Sequence, residues 1–210
     1  MIPFSREVFL STLGQYNSFI WPAQFAAYGL GLLLVIAILR PGPGAGRTVA
    51  TVLAVFWIWT GLGFHWLLYA PINFAAPAFA ALFVAEGCLI AFSGALRNQL
   101  EFCFQRSLRG WCGLALIAAS LFLYPALGLF THMAWPSSPA FGLSPAPLAL
   151  LTLGAFLLAP RRAALLHGFV PIMWLGAAAV ASWLLTLPDT LPLIAAAVIG
   201  GAMIAVPQKP

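Results

Sequence analysis

Leu39-Arg40-Pro41-Gly42-Pro43-Gly44-Ala45-Gly46-Arg47 separates two long apolar runs and carries an arginine on each side of a proline–glycine turn. No helix passes unbroken through Pro41 and Pro43, since each lacks a backbone donor and fixes its own φ. The stretch is therefore a tight link, and its charge is informative. The next link, around Asn73, has no Lys or Arg. The one after it holds Arg97, Arg106 and Arg109, the following one none, the next Arg161 and Arg162, the next none, and the tail Lys209. Eight of the nine Lys and Arg residues thus fall in alternate links. Cytoplasmic loops of membrane proteins collect such residues, so the alternation predicts seven crossings, N-terminus outside and C-terminus inside.

Composition points the same way. The chain is 63% hydrophobic and 6% charged, with a mean hydropathy of +1.02. Soluble domains carry about a quarter charged residues, so a water-exposed surface cannot be built from these. The 210 residues suffice for one membrane domain and leave no room for a soluble module. The net charge of +5 is spread along rims facing anionic headgroups, which makes the lipid bilayer the partner and excludes nucleic acid.

The expected architecture is all-α: a seven-helix transmembrane bundle over residues 19–206, preceded by an amphipathic outer-surface segment at 1–18. In that segment Ser5 can cap a short helix whose Phe9, Leu13 and Tyr16 share a face. The spans are drawn at roughly 20–39, 48–70, 75–96, 109–130, 143–159, 163–185 and 190–206. A bilayer core needs about 20 helical residues, which spans one to four and six are expected to supply. Span five is weaker, because Pro145 and Pro147 crowd its first turn. It reads as a full span or as a short helix behind a re-entrant stretch, the latter requiring cover from protein or a water-filled cavity. Residues 131–146 form the one long exterior loop. In span seven, Ala196 with Gly200 and Ala197 with Gly201 set small residues four apart for close helix contact, leaving a second copy or another membrane protein open as a partner.

Within this frame Glu86 stands out. It lies about ten residues into span three, roughly 15 Å deep, where a carboxylate should face the interior, be protonated or pair. No basic residue is predicted at its depth, so the expectation is an unpaired acid, serving either as a proton or cation site or as a hydrogen-bonded strut. His65, Gln24 and Asn73, with Tyr28 one turn deeper, share the outer half and are expected to border one outer-leaflet pocket; the plainer reading has His65 and Gln24 satisfying each other across a helix interface. His65 and His132 fall on the same side, which makes a two-histidine metal or haem site conceivable without a third ligand, while His167 is placed near the opposite end. Neither a metal nor another cofactor is assigned. Glu7, Glu101 and Asp189 are predicted at the surface. Pro125 and Pro171 should kink spans four and six and free backbone carbonyls.

Other chemistries are excluded by residues that are missing. The only lysine is Lys209, so no retinal-type Schiff base can form in the membrane. No helical H-E-x-x-H or CxxC occurs, which removes an intramembrane zinc hydrolase and a thiolate relay. Three function classes stand: a small-molecule or ion transporter or channel with an acidic midplane site; a non-catalytic membrane subunit, assembly factor or sensor; and, with no catalytic constellation behind it, a membrane enzyme or redox protein.

Ile20-Trp21-Pro22-Ala23-Gln24, Phe64-His65 followed by Ala70-Pro71-Ile72-Asn73, and Pro139-Ala140-Phe141-Gly142 with Pro145-Ala146-Pro147 resemble the sequences of a functionally uncharacterised family of bacterial integral membrane proteins of about this length. The resemblance runs over nearly the whole chain. It implies a polytopic helical bundle in a bacterial inner membrane, with Trp21, Pro22, Gln24, His65, Asn73, Phe141 and Gly142 as recurring positions, all predicted on the outer side.

Overall fold

The computed structural model describes residues 3–130 and 135–206, and those residues form helices and short links without strands. Ser5 accepts from the Val8 amide and starts α1, Arg6–Phe19. Leu13 and Tyr16 are buried on one face of α1, as the amphipathic reading requires, but so are Thr12 and Asn17. The chain then turns by 84° into α2, Ala23–Leu39. Helix α3 covers Ala45–Tyr69 and α4 Ala76–Leu96. Each changes to π-helical geometry near its end, over Thr60–Tyr69 in α3 and Ala91–Leu96 in α4. Helix α5 starts at Leu108, is α-helical to Ala118, π-helical over Ala119–Leu123 and α-helical again over Tyr124–Phe130. Helices α6, Pro145–Leu157, α7, Arg161–His167, α8, Phe169–Leu184, and α9, Thr190–Ala205, complete the chain.

Helices therefore occupy all seven expected intervals, but their lengths differ from expectation. Ala45–Tyr69, Ala76–Leu96 and Leu108–Ala126 are long and apolar enough to cross a membrane, and the count reaches 5 if the bent pairs α1–α2 and α7–α8 are each one span. Span one is shorter than expected because the turn through Pro22 delays α2 to Ala23, leaving 17 residues. Span six is divided at Gly168, where α7 and α8 meet at 45°. Pro171 explains the division: without an N–H it cannot bond the His167 carbonyl, and its ring crowds that carbonyl. Pro125 also lacks a donor, but α5 runs through it without a break. The Leu121 carbonyl, four residues before it, accepts instead from the Tyr28 hydroxyl at 3.3 Å.

The middle of the molecule is α6, whose 13 residues are all buried except Ala146. A helix apolar on every side has no solvent or lipid face to keep, and here α3, α5, α8 and α9 pack around it. Gly154 of α6 and Gly113 of α5 let the two backbones touch, since a Cβ on Gly154 would lie 2.7 Å from the Gly113 oxygen. Trp57 of α3 donates to Thr152 Oγ1 at 2.9 Å. Over its described part the segment before α6 packs increasingly into the protein: Ala140 to Ser144 are buried, Phe141 fills the space over Gly31, and Gly142 turns the chain at φ +67° against the Phe56 ring. Protein thus covers the backbone of this irregular stretch.

The two ends of the bundle differ. At one, the Arg109 guanidinium donates to the carbonyls of Phe156 and Ala159, and Arg161 donates to those of Ile204 and Ala205. These carbonyls lie at the C-termini of α6 and α9, where helices leave acceptors unsatisfied and favour positive charge. At the other end the Asn73 link, the 135–144 segment and the Asp189 link converge around a cavity. Links rich in arginine and links without it are thus segregated.

Candidate functional site

Glu86 sits halfway along α4 and is 4% exposed, in the interior as its depth demanded. It is not unpaired. His167 Nδ1 lies 3.2 Å from Glu86 Oε1, and His167 Nε2 lies 3.1 Å from Ser93 Oγ. The expectation that no basic residue reaches this depth is corrected by the bend at Gly168. It ends α7 at His167 and turns the imidazole toward α4, where a straight helix counted from Arg161 would leave it near the rim. The ring is wholly buried and stacks on Phe156 of α6 at 4.8 Å.

Ser93 Oγ also lies 2.7 Å from the Leu89 carbonyl, one turn before it. Each imidazole nitrogen donates or accepts according to the tautomer, so the three side chains form a continuous hydrogen-bonded chain from Oε1 to the serine hydroxyl. The group sits at the middle of a membrane-length helix, and it is the only ion-pair contact among the described residues.

One turn along α4 toward the opposite end, Phe83 packs edge-on to His65 at 4.6 Å, and Trp174 of α8 does so at 4.9 Å. His65 is wholly buried in the π-helical part of α3, and neither ring nitrogen has a partner among the described residues; Trp174 Nε1 also has none. Both His65 and Ser93 fall in π-helical stretches, a geometry that often marks functional sites and that the sequence did not signal.

Beyond this aromatic box lies a cavity of 310 Å³ walled by Phe9, Phe64, Tyr69, Phe79 and Trp174 and by the small residues of α8. Asn73 lines it, with its own Oδ1 taken by the Ala75 amide at 3.0 Å. So does Asp189, which is a correction: placed at the surface from sequence, it is 6% exposed, with Oδ2 accepting from the Tyr124 hydroxyl. A residue just before a helix in a short link is ordinarily solvated, but here the cavity wall closes over it. Glu7 and Glu101 are exposed as expected.

Gln24, His65, Asn73 and Tyr28, expected to border one outer pocket, do not share one, and Glu86 is separate as expected. Asn73 borders the cavity, His65 stands behind its wall, and Glu86 lies deeper. Gln24 donates to the Asn17 carbonyl at 2.8 Å, and the Asn17 side chain donates to the carbonyls of Pro136 and Ser138, so Gln24 belongs to a staple joining α1, α2 and the 135–144 segment. Tyr28 faces a different hollow, with Leu121, Pro125 and Trp135. His132 lies outside the described residues. No group of three His, Cys, Asp or Glu among the described residues is placed to hold a metal ion.

No curated protein and no solved structure matches the chain. A sequence match does extend from the first turn of α1 into the tail beyond α9, taking in the Glu86–His167–Ser93 group, the aromatic box and the cavity together. Over those residues, 6–209, the chain belongs to DUF6064, a family of unknown function.

Proposed function

We propose that this chain is a multi-pass protein of the bacterial inner membrane, with seven spans and its N-terminus outside, that moves a small molecule or ion coupled to a proton held at Glu86. The orientation rests on the charged links, whose arginines gather at one end of the bundle. The transport reading rests chiefly on the Glu86–His167–Ser93 group: an ionisable pair at the middle of a spanning helix is costly to keep and marks proton relays in pumps and transporters. The outer cavity, separated from it by His65, Phe83 and Trp174, supplies a place for cargo.

The test is reconstitution into liposomes with an imposed pH gradient and a panel of small ions and amines. Wild type should take up cargo with proton movement, and Glu86→Gln should lose the proton coupling while remaining folded. Absence of any gradient-driven flux in wild type would overturn the proposal. The alternative, a non-catalytic subunit, assembly factor or sensor, draws on one observation: Glu86, Ser93 and His167 do not line the outer cavity. In that case wild type moves nothing, and the protein should co-purify with a membrane partner.

A further inference from the structure

We infer that the outer cavity is a binding site for an organic ammonium with an elongated apolar body, its charged end held by Asp189. Three features of the cavity lead to this class. Its walls are overwhelmingly aliphatic and aromatic, and its 310 Å³ is within the range of ligand pockets, at the small end. It is deep: Trp174 and Leu184 both line it, and they stand ten residues apart along α8, roughly 15 Å at 1.5 Å per residue. A long, narrow body fits such a space better than a round one. Phe4, stacked against Phe9 and edge-on to Tyr69, lies at its mouth.

The third feature is the carboxyl. Asp189 is buried, and Tyr124 occupies only its Oδ2; Oδ1 has no partner among the described residues. Asp189 precedes α9 but does not spend Oδ1 on capping it, for its side chain makes no bond to the helix amides. No described Lys, Arg or His pairs with it, since the one such contact is His167 with Glu86. A buried acceptor without a donor carries the full desolvation cost of that atom. Asp189 lines the cavity, but Oδ1 has almost no accessible surface, so a small rotation of the carboxyl about its bond to Tyr124 presents Oδ1 to the N–H of a cation, which removes the cost. The aromatic walls suit a cation's apolar substituents as well. An anionic ligand would bring a further acceptor against the carboxyl, and a ligand without a donor would leave Oδ1 unanswered. The ammonium can be that of a soluble amine or of a lipid with an ethanolamine headgroup.

This inference rests on the transport reading only in taking the amine as the cargo. Binding is measured separately, by titrating hexylammonium into protein in uncharged maltoside micelles and following tryptophan fluorescence or heat. Hexylammonium should bind saturably and at least tenfold more tightly than 1-hexanol, which has the same body without the charge. Asp189→Asn keeps the acceptor for Tyr124 and should weaken hexylammonium at least tenfold while leaving hexanol unchanged. Ala181→Phe fills the cavity with Asp189 intact and should abolish binding of both. Equal affinity for amine and alcohol in wild type overturns the inference without recourse to any variant, and so does hexylammonium binding that survives Asp189→Asn or Ala181→Phe. Competition by phosphatidylethanolamine assigns the lipid as the natural source; its failure to compete assigns a free amine. A failed uptake assay leaves this site standing, and a failed titration leaves proton coupling at Glu86 standing.

Discussion

Pro171 stands four residues after His167 and deprives its carbonyl of a helical donor, so that the helix ends at the histidine and the imidazole turns inward onto Glu86. Backbone chemistry at one residue thereby decides the partner of another on a different helix. The bend of 45° at Gly168 is where the two effects meet.

Restoring that donor should undo the pairing. Pro171→Ala supplies an N–H for the His167 carbonyl and removes the ring that crowds it, so α7 and α8 should straighten into one helix. The imidazole ¹⁵N resonances of His167 in membrane samples should leave their hydrogen-bonded positions. Unchanged resonances would show that the bend has another cause.

At Glu86 the chemistry of the replacement matters more than the loss of an acid. Glu86→Gln keeps a hydrogen-bonding group opposite Nδ1 and should shift the melting temperature little. Glu86→Ala leaves a wholly buried ring nitrogen without its partner, a cost of about 1–3 kcal/mol. His167→Ala should cost at least as much, because it also removes the ring stacked on Phe156. Thermal melts in detergent check the order, and equal melting of Glu86→Gln and Glu86→Ala would contradict it.

Three glycines make a graded test of packing. Gly142 combines φ +67° with the Phe56 ring 2.9 Å from any added Cβ. Its left-handed backbone alone costs an alanine roughly 1–2 kcal/mol. Gly154→Ala drives a methyl into the Gly113 backbone, and overpacking of this kind costs about 1–3 kcal/mol. Gly176, with nothing within 4 Å of its Cβ position, should accept alanine with no loss, gaining at most about 1 kcal/mol of helix propensity. Melting temperatures should therefore fall for the first two and hold or rise for the third.

Orientation is open to chemical labelling. In a background with Cys88, Cys103 and Cys112 replaced, Phe74→Cys in the uncharged Asn73 link should react with a membrane-impermeant maleimide added to intact cells. Gly42→Cys, between Arg40 and Arg47, should react only after the membrane is opened. Both positions are exposed. The reverse pattern would invert the topology. A reporter inserted at Ser137 would be a poor choice, because Ser137 lies against Gly14 of α1 and an insertion there would part the two.

Helix positions were legible in the sequence because Pro, Gly and charge punctuate it: Ser5 caps where a cap was read, and the links at Pro41, Asn73 and Pro160 fall where expected. The interior position of Glu86 was legible from depth alone. Its partner was not, because counting residues from a rim assumes straight helices, and the bend before Pro171 changes the depth and direction of His167 together. Asp189 was misread by the rule that link residues face water. Gln24 was misgrouped because depth says nothing of azimuth, and its donor found the Asn17 carbonyl seven residues back instead of a histidine on another helix. The burial of α6 left no trace, since a helix apolar all round shows no periodicity to read.

That burial bears on how the molecule is made. A segment of 13 residues reaches only about 20 Å, short of a hydrocarbon core of about 30 Å, and every side of it is already claimed by a neighbour. As it leaves the ribosome, α6 meets α3 and α5 but not yet α8 or α9, so half of its groove does not exist. Its final seat is created by the residues that follow it. On the proposed membrane topology, the helices would not insert independently from the N-terminus: α6 packs against α8 and α9, which follow it in the chain, so its seat is complete only once they are made.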